Sequence, residues 1–280
     1  MSLELRRFFV VIIPLMIIAG AISPFAYAGG GDAPQATETI SKDAKAAPEA
    51  EKTEKATSNN WQGLYVGIHA GYGLGNAETS FNAWPSAEAA INLAPTKMNP
   101  HPSGVIGGGQ LGFNWQRNLF VLGVETDFSG SGMRDSSTYN SITQNTGDSW
   151  SGTTTTHQNT NWFGTLRLRG GFTPFKKLFV YGTGGMAYGR VNYSANTDFR
   201  PQGTIEYPVS FTKTKVGWTA GGGMEYALTS NWSLKTEYLY YNLGNESKTG
   251  DPIPENPPFQ IRYDWKTSAS TVNVGLNYKF

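Results

Sequence analysis

From Trp61 onward the chain alternates apolar and polar residues with a period of two, the signature of strands whose two faces meet different surroundings. In the first such segment Leu64, Val66, Ile68, Ala70 and Tyr72 share one face, and Tyr65, Gly67, His69 and Gly71 the other. Val105, Leu111, Phe113 and Trp115 then oppose Gly108, Gln110, Gly112 and Asn114, and Phe120, Leu122, Val124 and Phe128 oppose Gly123, Glu125 and Asp127. Trp162, Leu166, Leu168 and Phe172 oppose Thr165, Arg167, Arg169 and Gly171. Further on, Val216, Trp218, Ala220, Met224 and Tyr226 oppose Thr219, Gly221, Gly223 and Glu225, and Trp232, Leu234, Thr236, Tyr238 and Tyr240 oppose Ser233, Lys235, Glu237 and Tyr241. The last segment sets Val272, Val274, Leu276, Tyr278 and Phe280 against Asn273, Gly275, Asn277 and Lys279. Residues 178–193 are strand-like as well, but too rich in glycine for their faces to be assigned. The pattern predicts eight strands.

Charge is confined to one side of these strands. The apolar faces named above carry none, whereas the opposite faces carry Glu125, Asp127, Arg167, Arg169, Glu225, Lys235, Glu237 and Lys279, four acids and four bases. A wall in contact with lipid imposes this, because a charge at the bilayer midplane costs about 2 to 4 kcal/mol. Connections at 116–118, 173–177 and 228–231 are short, while those at 76–103, 130–160, 194–214 and 244–264 are long, and the two kinds alternate strictly. Transmembrane barrels do this, with tight periplasmic turns and long outer loops. Closure is also required, since an open sheet edge in hydrocarbon would leave backbone groups unpaired. Trp115, Phe172, Tyr226, Trp232, Tyr278 and Phe280 fall toward the periplasmic rim and Phe128, Trp162, Tyr193, Trp218 and Tyr240 toward the outer rim, as two aromatic girdles. The expected fold is all-β: an eight-stranded antiparallel transmembrane β-barrel with short periplasmic turns and four long extracellular loops. A soluble eight-stranded barrel would instead turn the apolar face inward.

The N-terminal region is of another kind. Arg6 and Arg7 precede a nearly unbroken apolar stretch over 8–22, and Phe25-Ala26-Tyr27-Ala28 ends in the small-x-small pattern that signal peptidase accepts. Residues 1–28 are therefore expected to be a cleaved signal peptide; about 15 apolar residues interrupted by Pro14 fall short of a membrane-spanning helix. Residues 29–60 hold no aromatic and only Ile40 as a large aliphatic, too little apolar surface to offset the entropy of ordering, so they read as a disordered periplasmic linker before the barrel at 61–280. The absence of cysteine excludes a lipidated N-terminus and any disulfide. A net charge of +1 with 15% charged residues leaves no basic surplus for nucleic acid.

The segments WQGLYVGIHAGYG, GGGQLGFNWQ, GVETDF, LRLRGGF, YGTGGMAYG, KTEYLYYNLG and the terminal TVNVGLNYKF resemble those of the alphaproteobacterial outer-membrane immunogenic, or opacity-like, β-barrel family, over residues 61–280. The resemblance implies residence in the gram-negative outer membrane, contact with its lipid, and a C-terminal assembly signal read by the barrel-assembly machinery. Val274, Leu276, Tyr278 and Phe280 match that signal. Members of the family are described as surface antigens, envelope-stabilising proteins or small porins, some of them haem-binding; no histidine or tyrosine cluster supports haem in this chain.

Candidate chemistry concentrates in the interior. Eight strands enclose a lumen that side chains can fill, so the eight interior charges are expected to pair: Arg167 and Arg169 beside Glu125 and Asp127, Glu225 beside Lys235 and Glu237. The leading function is a non-enzymatic structural and surface protein. The alternatives are a narrow porin lined by these charges and an adhesin or ligand-binding protein acting through its long loops. The histidines are only His69, His101 and His157, with no HExxH, GxSxG or phosphate-loop pattern around them, so no catalytic residue, cofactor or metal site is expected. In the first loop, WPSAEAAINLAP suits one or two helical turns.

Overall fold

A computed structural model describes residues 60–84, 95–145, 148–200, 205–253 and 260–280. The expected signal peptide and all but the last residue of the linker lie outside the described residues, as does all but the ends of the WPSAEAAINLAP stretch. Eight long strands run in chain order: β1 Gly63–Trp84, β2 Ser103–Arg117, β3 Phe120–Ser131, β4 Asp148–Phe175, β5 Leu178–Arg200, β6 Val209–Ala227, β7 Trp232–Gly250 and β8 Gln260–Lys279. Each pairs antiparallel with the next, and β8 returns to β1, so that Val66 lies opposite both Tyr278 and Leu111. The ring has no open edge at the level of the apolar belt.

The facing of the seven readable strands follows the alternation: Ile68, Val105, Leu168, Val216 and Val272 are exposed, whereas Glu125, Arg167, Glu225 and Lys235 are buried in the lumen. The glycine-rich fifth strand is now assigned. Met186 lies opposite Leu166 and points outward, and Phe179, Tyr181, Ala187 and Val191 point in. Short turns close the periplasmic end; Asn118 takes the left-handed conformation (φ 56°) that asparagine tolerates better than most residues.

On the opposite side the expected long loops are mostly strand. β1, β4 and β5 have 22, 28 and 23 residues, roughly two to three times the 9–11 that a tilted strand needs to cross a bilayer. After a break at Gly132 and Met133, the course of β3 resumes as the strand Arg134–Asn145, paired with β4 from Arg134↔Asn159 to Asn145↔Asp148. Short strands Lys97–Met98 and Ile205–Glu206 add to β1 and β5. The barrel therefore projects beyond the membrane, with β1, β4, β5 and β8 paired to their neighbours well above the apolar belt.

Along this projection the sense of the alternation reverses. On β8, Val272, Val274 and Leu276 face out at the membrane, but above them Arg262, Asp264 and Lys266 face out while Ile261, Tyr263 and Trp265 are buried. On β1 the outward Leu74 gives way to Asn76, Glu78 and Ser80, with Ala77 and Phe81 buried behind them. Tyr193, expected in the outer girdle, belongs to this second pattern: it is 1% exposed and stacks inside on Phe211 at 5.1 Å. The outer girdle is instead Phe128, Trp162, Tyr188, Trp218 and Tyr240, in ring contact as Phe128–Trp162–Tyr188 and Trp218–Tyr240.

Candidate functional site

The lumen at the level of the apolar belt is filled by one polar network. β3 contributes Glu125 and Asp127, β4 Arg167 and Arg169, β6 Glu225, and β7 Lys235 and Glu237; all seven are 5% exposed or less. Glu125 sits at the centre. It accepts from Arg167 at 2.5 Å, Arg169 at 3.0 Å, Lys235 at 3.1 Å and the Tyr65 hydroxyl at 2.6 Å. Arg167 also reaches Asp127 and Glu237, each at 3.0 Å, and Asp127 accepts from the Thr165 hydroxyl. Glu225 takes Arg169 at 2.6 Å, together with Ser233 and Asn277, although its register neighbour is Lys235. Lys235 instead crosses the lumen to Glu125 and to Gln110 at 2.6 Å, approaching Glu237 at 3.7 Å. Lys279, the eighth of the charges placed inside from the alternation, does not reach the network: its ammonium lies at the periplasmic rim and donates to the Asn60 carbonyl.

Four residues absent from the expected charge set complete the ties. Tyr65 on β1, Gln110 on β2, Tyr181 on β5, which donates to Glu237 at 2.8 Å, and Asn277 on β8 each bond to a member, so all eight strands are joined through the lumen. Tyr65, Gln110 and Asn277 were readable as inward polar positions; Tyr181 lay in the stretch whose faces glycine obscured. The glycines have a task here. A Cβ at Gly112 would collide with the Tyr65 ring, and one at Gly223 would press on the Tyr181 hydroxyl, so small residues opposite these tyrosines make room for them. Arg169 lies among the rings of Tyr181, Phe179 and Tyr65, with centroids 4.2, 4.9 and 5.3 Å from its guanidinium carbon, where cation–π attraction adds to its ion pairs.

With Lys279 at the rim, four carboxylates face the cations Arg167, Arg169 and Lys235, and His69 borders the same cluster. Its Nε2 is 2.8 Å from the Ser129 hydroxyl. The cavity bordered by His69, Asp127, Arg167 and Lys235 measures about 10 Å³, the space of one water molecule. His101 and His157 are exposed in the outer region, where the His101 backbone amide donates to Asp135 at 2.6 Å and His157 lies opposite Ser136 in register.

Both ends of the network are closed by rings. Toward the periplasm Trp61, 5% exposed, packs on Phe179 at 5.5 Å, and its backbone amide donates to Gln116 at 2.6 Å. Beyond the outer girdle, Tyr193, Tyr263, Trp265 and Phe211 form a contiguous aromatic layer with centroid separations of 5.1 to 5.6 Å. Between layer and network is a cavity of about 30 Å³, lined by Met133, Phe163, Tyr241 and Leu243 among others. Burial pushes the Tyr193 phenol up to about 12, against the opposing hydrogen bond with Thr267 at 2.6 Å. Burial likewise pushes the Lys215 ammonium down. The terminal residues Val274, Leu276, Tyr278 and Phe280 lie together on the outer face, with Tyr278 in ring contact with both Trp232 and Phe280.

This architecture coincides with a known family. The outer membrane protein beta-barrel domain matches residues 46–280. The 31 kDa outer-membrane immunogenic protein of Brucella melitensis biotype 1 is 37% identical over 235 residues, covering 83% of this chain and 89% of that protein. The 22 kDa outer membrane protein of Rhizobium leguminosarum bv. viciae is 27% identical over 225 residues, 80% of each. Among solved structures, the outer membrane protein OprG of Pseudomonas aeruginosa aligns over 80% of this chain and 98% of its own at 11% identity, with a TM-score of 0.44. The chain belongs to the outer membrane protein β-barrel family, with the alphaproteobacterial outer-membrane immunogenic proteins as its relatives, and its place is the gram-negative outer membrane.

Proposed function

We propose that this protein is a sealed, non-catalytic barrel: a structural element of the outer membrane that carries a rigid wall above the bilayer as its surface. The observation that carries the reading is a lumen blocked twice in series, by ion pairs at the belt and by aromatic rings above it. Ion passage would require stripping Glu125 and Arg167 from partners at 2.5 Å and then opening a packed aromatic layer. The narrow-porin reading lacks a path of that kind. An enzyme would need a nucleophile, a base and an approach for substrate, and the polar groups of the lumen are occupied with one another. No cofactor is part of this reading. In biogenesis the outward Val274, Leu276, Tyr278 and Phe280 serve as the segment read by the barrel-assembly machinery, and afterwards they contact lipid. Planar-bilayer recording of the purified, refolded chain tests the sealed barrel: a baseline without discrete steps in 1 M salt is expected, and stable single-channel steps would overturn it.

A further inference from the structure

The periplasmic end of the barrel carries charge of one sign. Arg117 ends β2 and pairs with Phe120 across the two-residue turn Asn118-Leu119, while Lys176 and Lys177 are themselves the two turn residues between Phe175 and Leu178. All three cations are exposed. Backbone hydrogen bonds join the turns into one rim: the Thr173 amide donates to the Leu119 carbonyl at 2.9 Å, that of Ala227 to Lys177 at 2.8 Å, and that of Lys279 to Asn231 at 2.8 Å. With Lys279 the rim holds four bases, and residues 114–119, 173–178, 227–232 and 278–280 include no Asp or Glu.

The outer end mixes the two signs. There Lys213 pairs with Glu246 at 2.7 Å, Lys97 and Lys266 with Glu78 at 2.7 and 3.0 Å, and Arg262 with Asp264 at 3.1 Å, whereas Arg117, Lys176 and Lys177 enter none of the ion pairs among the described residues. The apolar belt also runs down to the periplasmic turns without a polar interval. Leu119 and Phe120 are exposed beside Arg117, and Phe175 is exposed beside Lys176. Apolar side chains at the turn tips mean that hydrocarbon reaches this height, since two-residue turns carry nothing further out to cover them. The next layer outward is that of the headgroups, and the apolar stems of Arg and Lys can lie along hydrocarbon while their charges reach it.

We propose that the periplasmic rim binds anionic phospholipids of the inner leaflet, with Arg117, Lys176 and Lys177 facing the headgroup phosphates. Lys279, whose ammonium donates to the Asn60 carbonyl, adds to the field without reaching lipid. The occupant follows from position. A lipid phosphate meets the cations while its acyl chains cover Leu119, Phe120 and Phe175; a soluble anionic polymer would meet the cations and leave those side chains bare. Such a rim gathers acidic lipid around the periplasmic end and fixes the depth of the barrel, whether or not the lumen is sealed.

The refolded full chain, in nanodiscs of equimolar phosphatidylglycerol and phosphatidylcholine, tests this by native mass spectrometry of the lipids that stay bound when the disc is stripped. About fivefold more phosphatidylglycerol than phosphatidylcholine is expected to remain, as one basic residue at an anionic surface predicts, and the excess should fall in high salt. The triple variant Arg117→Gln/Lys176→Gln/Lys177→Gln should bring the two lipids close to parity. Lys213→Gln/Lys248→Gln/Lys266→Gln, at the outer end, should leave the ratio as it was. Equal retention of both lipids by the original chain, an unchanged ratio in the inner variant, or an equal fall in the outer one would overturn the proposal. Co-sedimentation with isolated cell wall that the inner variant loses, in the absence of any lipid preference, would overturn it in favour of an anionic polymer. Heat-modifiable gel migration reports folding of each variant. Should the inner triple variant fail to fold, Lys176→Gln and Lys177→Gln, each at a turn tip, must separately lower the ratio; no change in either then refutes the rim as a lipid site.

Discussion

The belt and the projecting wall are two halves of the same strands, built by opposite rules. At the belt, lipid outside demands apolar residues there, and the polar complement is forced into the lumen, where it forms the Glu125-centred network. Above the girdle, water outside accepts Arg262, Asp264 and Lys266, and the lumen fills with Tyr263, Trp265 and Tyr193 as a soluble protein's core would. The contrast teaches that the alternation along a barrel strand encodes the solvent at each height. The backbone ladder passes through the change without a break, since β1 and β8 stay paired from Tyr65↔Lys279 to Trp84↔Gln260.

Breaking the lower rule from the inside should have the largest effect. Glu125→Leu leaves Arg167, Arg169 and Lys235 facing one another without their shared acceptor, and removing one partner of such a buried cluster costs about 3 to 5 kcal/mol. Urea unfolding of the refolded chain in vesicles measures this; a loss under 1 kcal/mol would mean that the network contributes little to holding the eight strands together. Breaking the same rule from the outside comes next. Leu168→Arg places a charge on the lipid face beside buried Arg167 and Arg169, and should cost about 2 to 4 kcal/mol in folding from urea into lipid vesicles. Leu168 is 66% exposed in the bare protein, so a result near zero would show that this face does not contact hydrocarbon.

The upper half is probed through Tyr193. Burial raises its phenol to about 12, whereas an unfolded tyrosine titrates near 10. A raised value in the folded state means that the neutral phenol stabilises fully below about pH 10 and that this contribution is lost as pH rises toward 12. Tyr193→Phe should therefore reduce the fall in stability between pH 9 and pH 11 by about 1 kcal/mol while costing a similar amount at pH 8 for the lost Thr267 hydrogen bond. An identical alkaline profile in both proteins would place Tyr193 in contact with water.

The lower half was legible in the sequence because lipid tolerates few exceptions. Seven strands could be given faces, and with them Arg167, Arg169 and Glu125 as partners, from charge and alternation alone. Tyr181 and the fifth strand were hidden because Gly182, Gly184 and Gly185 erase the contrast between faces, and aromatic Phe179 and Tyr181 point inward against the trend of the belt. The projecting wall was illegible for another reason. Its strands keep the period of two but reverse its phase, and runs such as SGTTTTHQNT offer threonine on both faces, which reads as loop. Ile261, Tyr263 and Trp265 do alternate with Arg262, Asp264 and Lys266; the signal was present, with its sense inverted. Lys279 shared the parity of the interior charges, but parity carries no information on height, and its place at the strand end takes it to the rim.

The smallest expected effect is the sharpest test of the contrast, because it concerns the same outward face as Leu168. Lys266 is outward on β8 above the girdle, its side chain 59% exposed, and its ammonium is 3.0 Å from Glu78, which also takes Lys97 at 2.7 Å. Lys266→Leu puts an apolar residue where water lies and removes one of two partners from a solvated carboxylate, so stability should change by less than about 0.5 kcal/mol at neutral pH. The substitution should act mainly through pH. Lys97 and then Lys266 hold the Glu78 carboxyl below the usual range, and a lowered value means that the pairing stabilises above the unfolded pKa and is lost as pH falls through the folded one. Without Lys266 that acid-side loss should shrink and respond less to salt, with Lys97 remaining as the partner of Glu78. A change at neutral pH as large as that of Leu168→Arg would mean that outward position alone, rather than height in the wall, decides what the strand will accept.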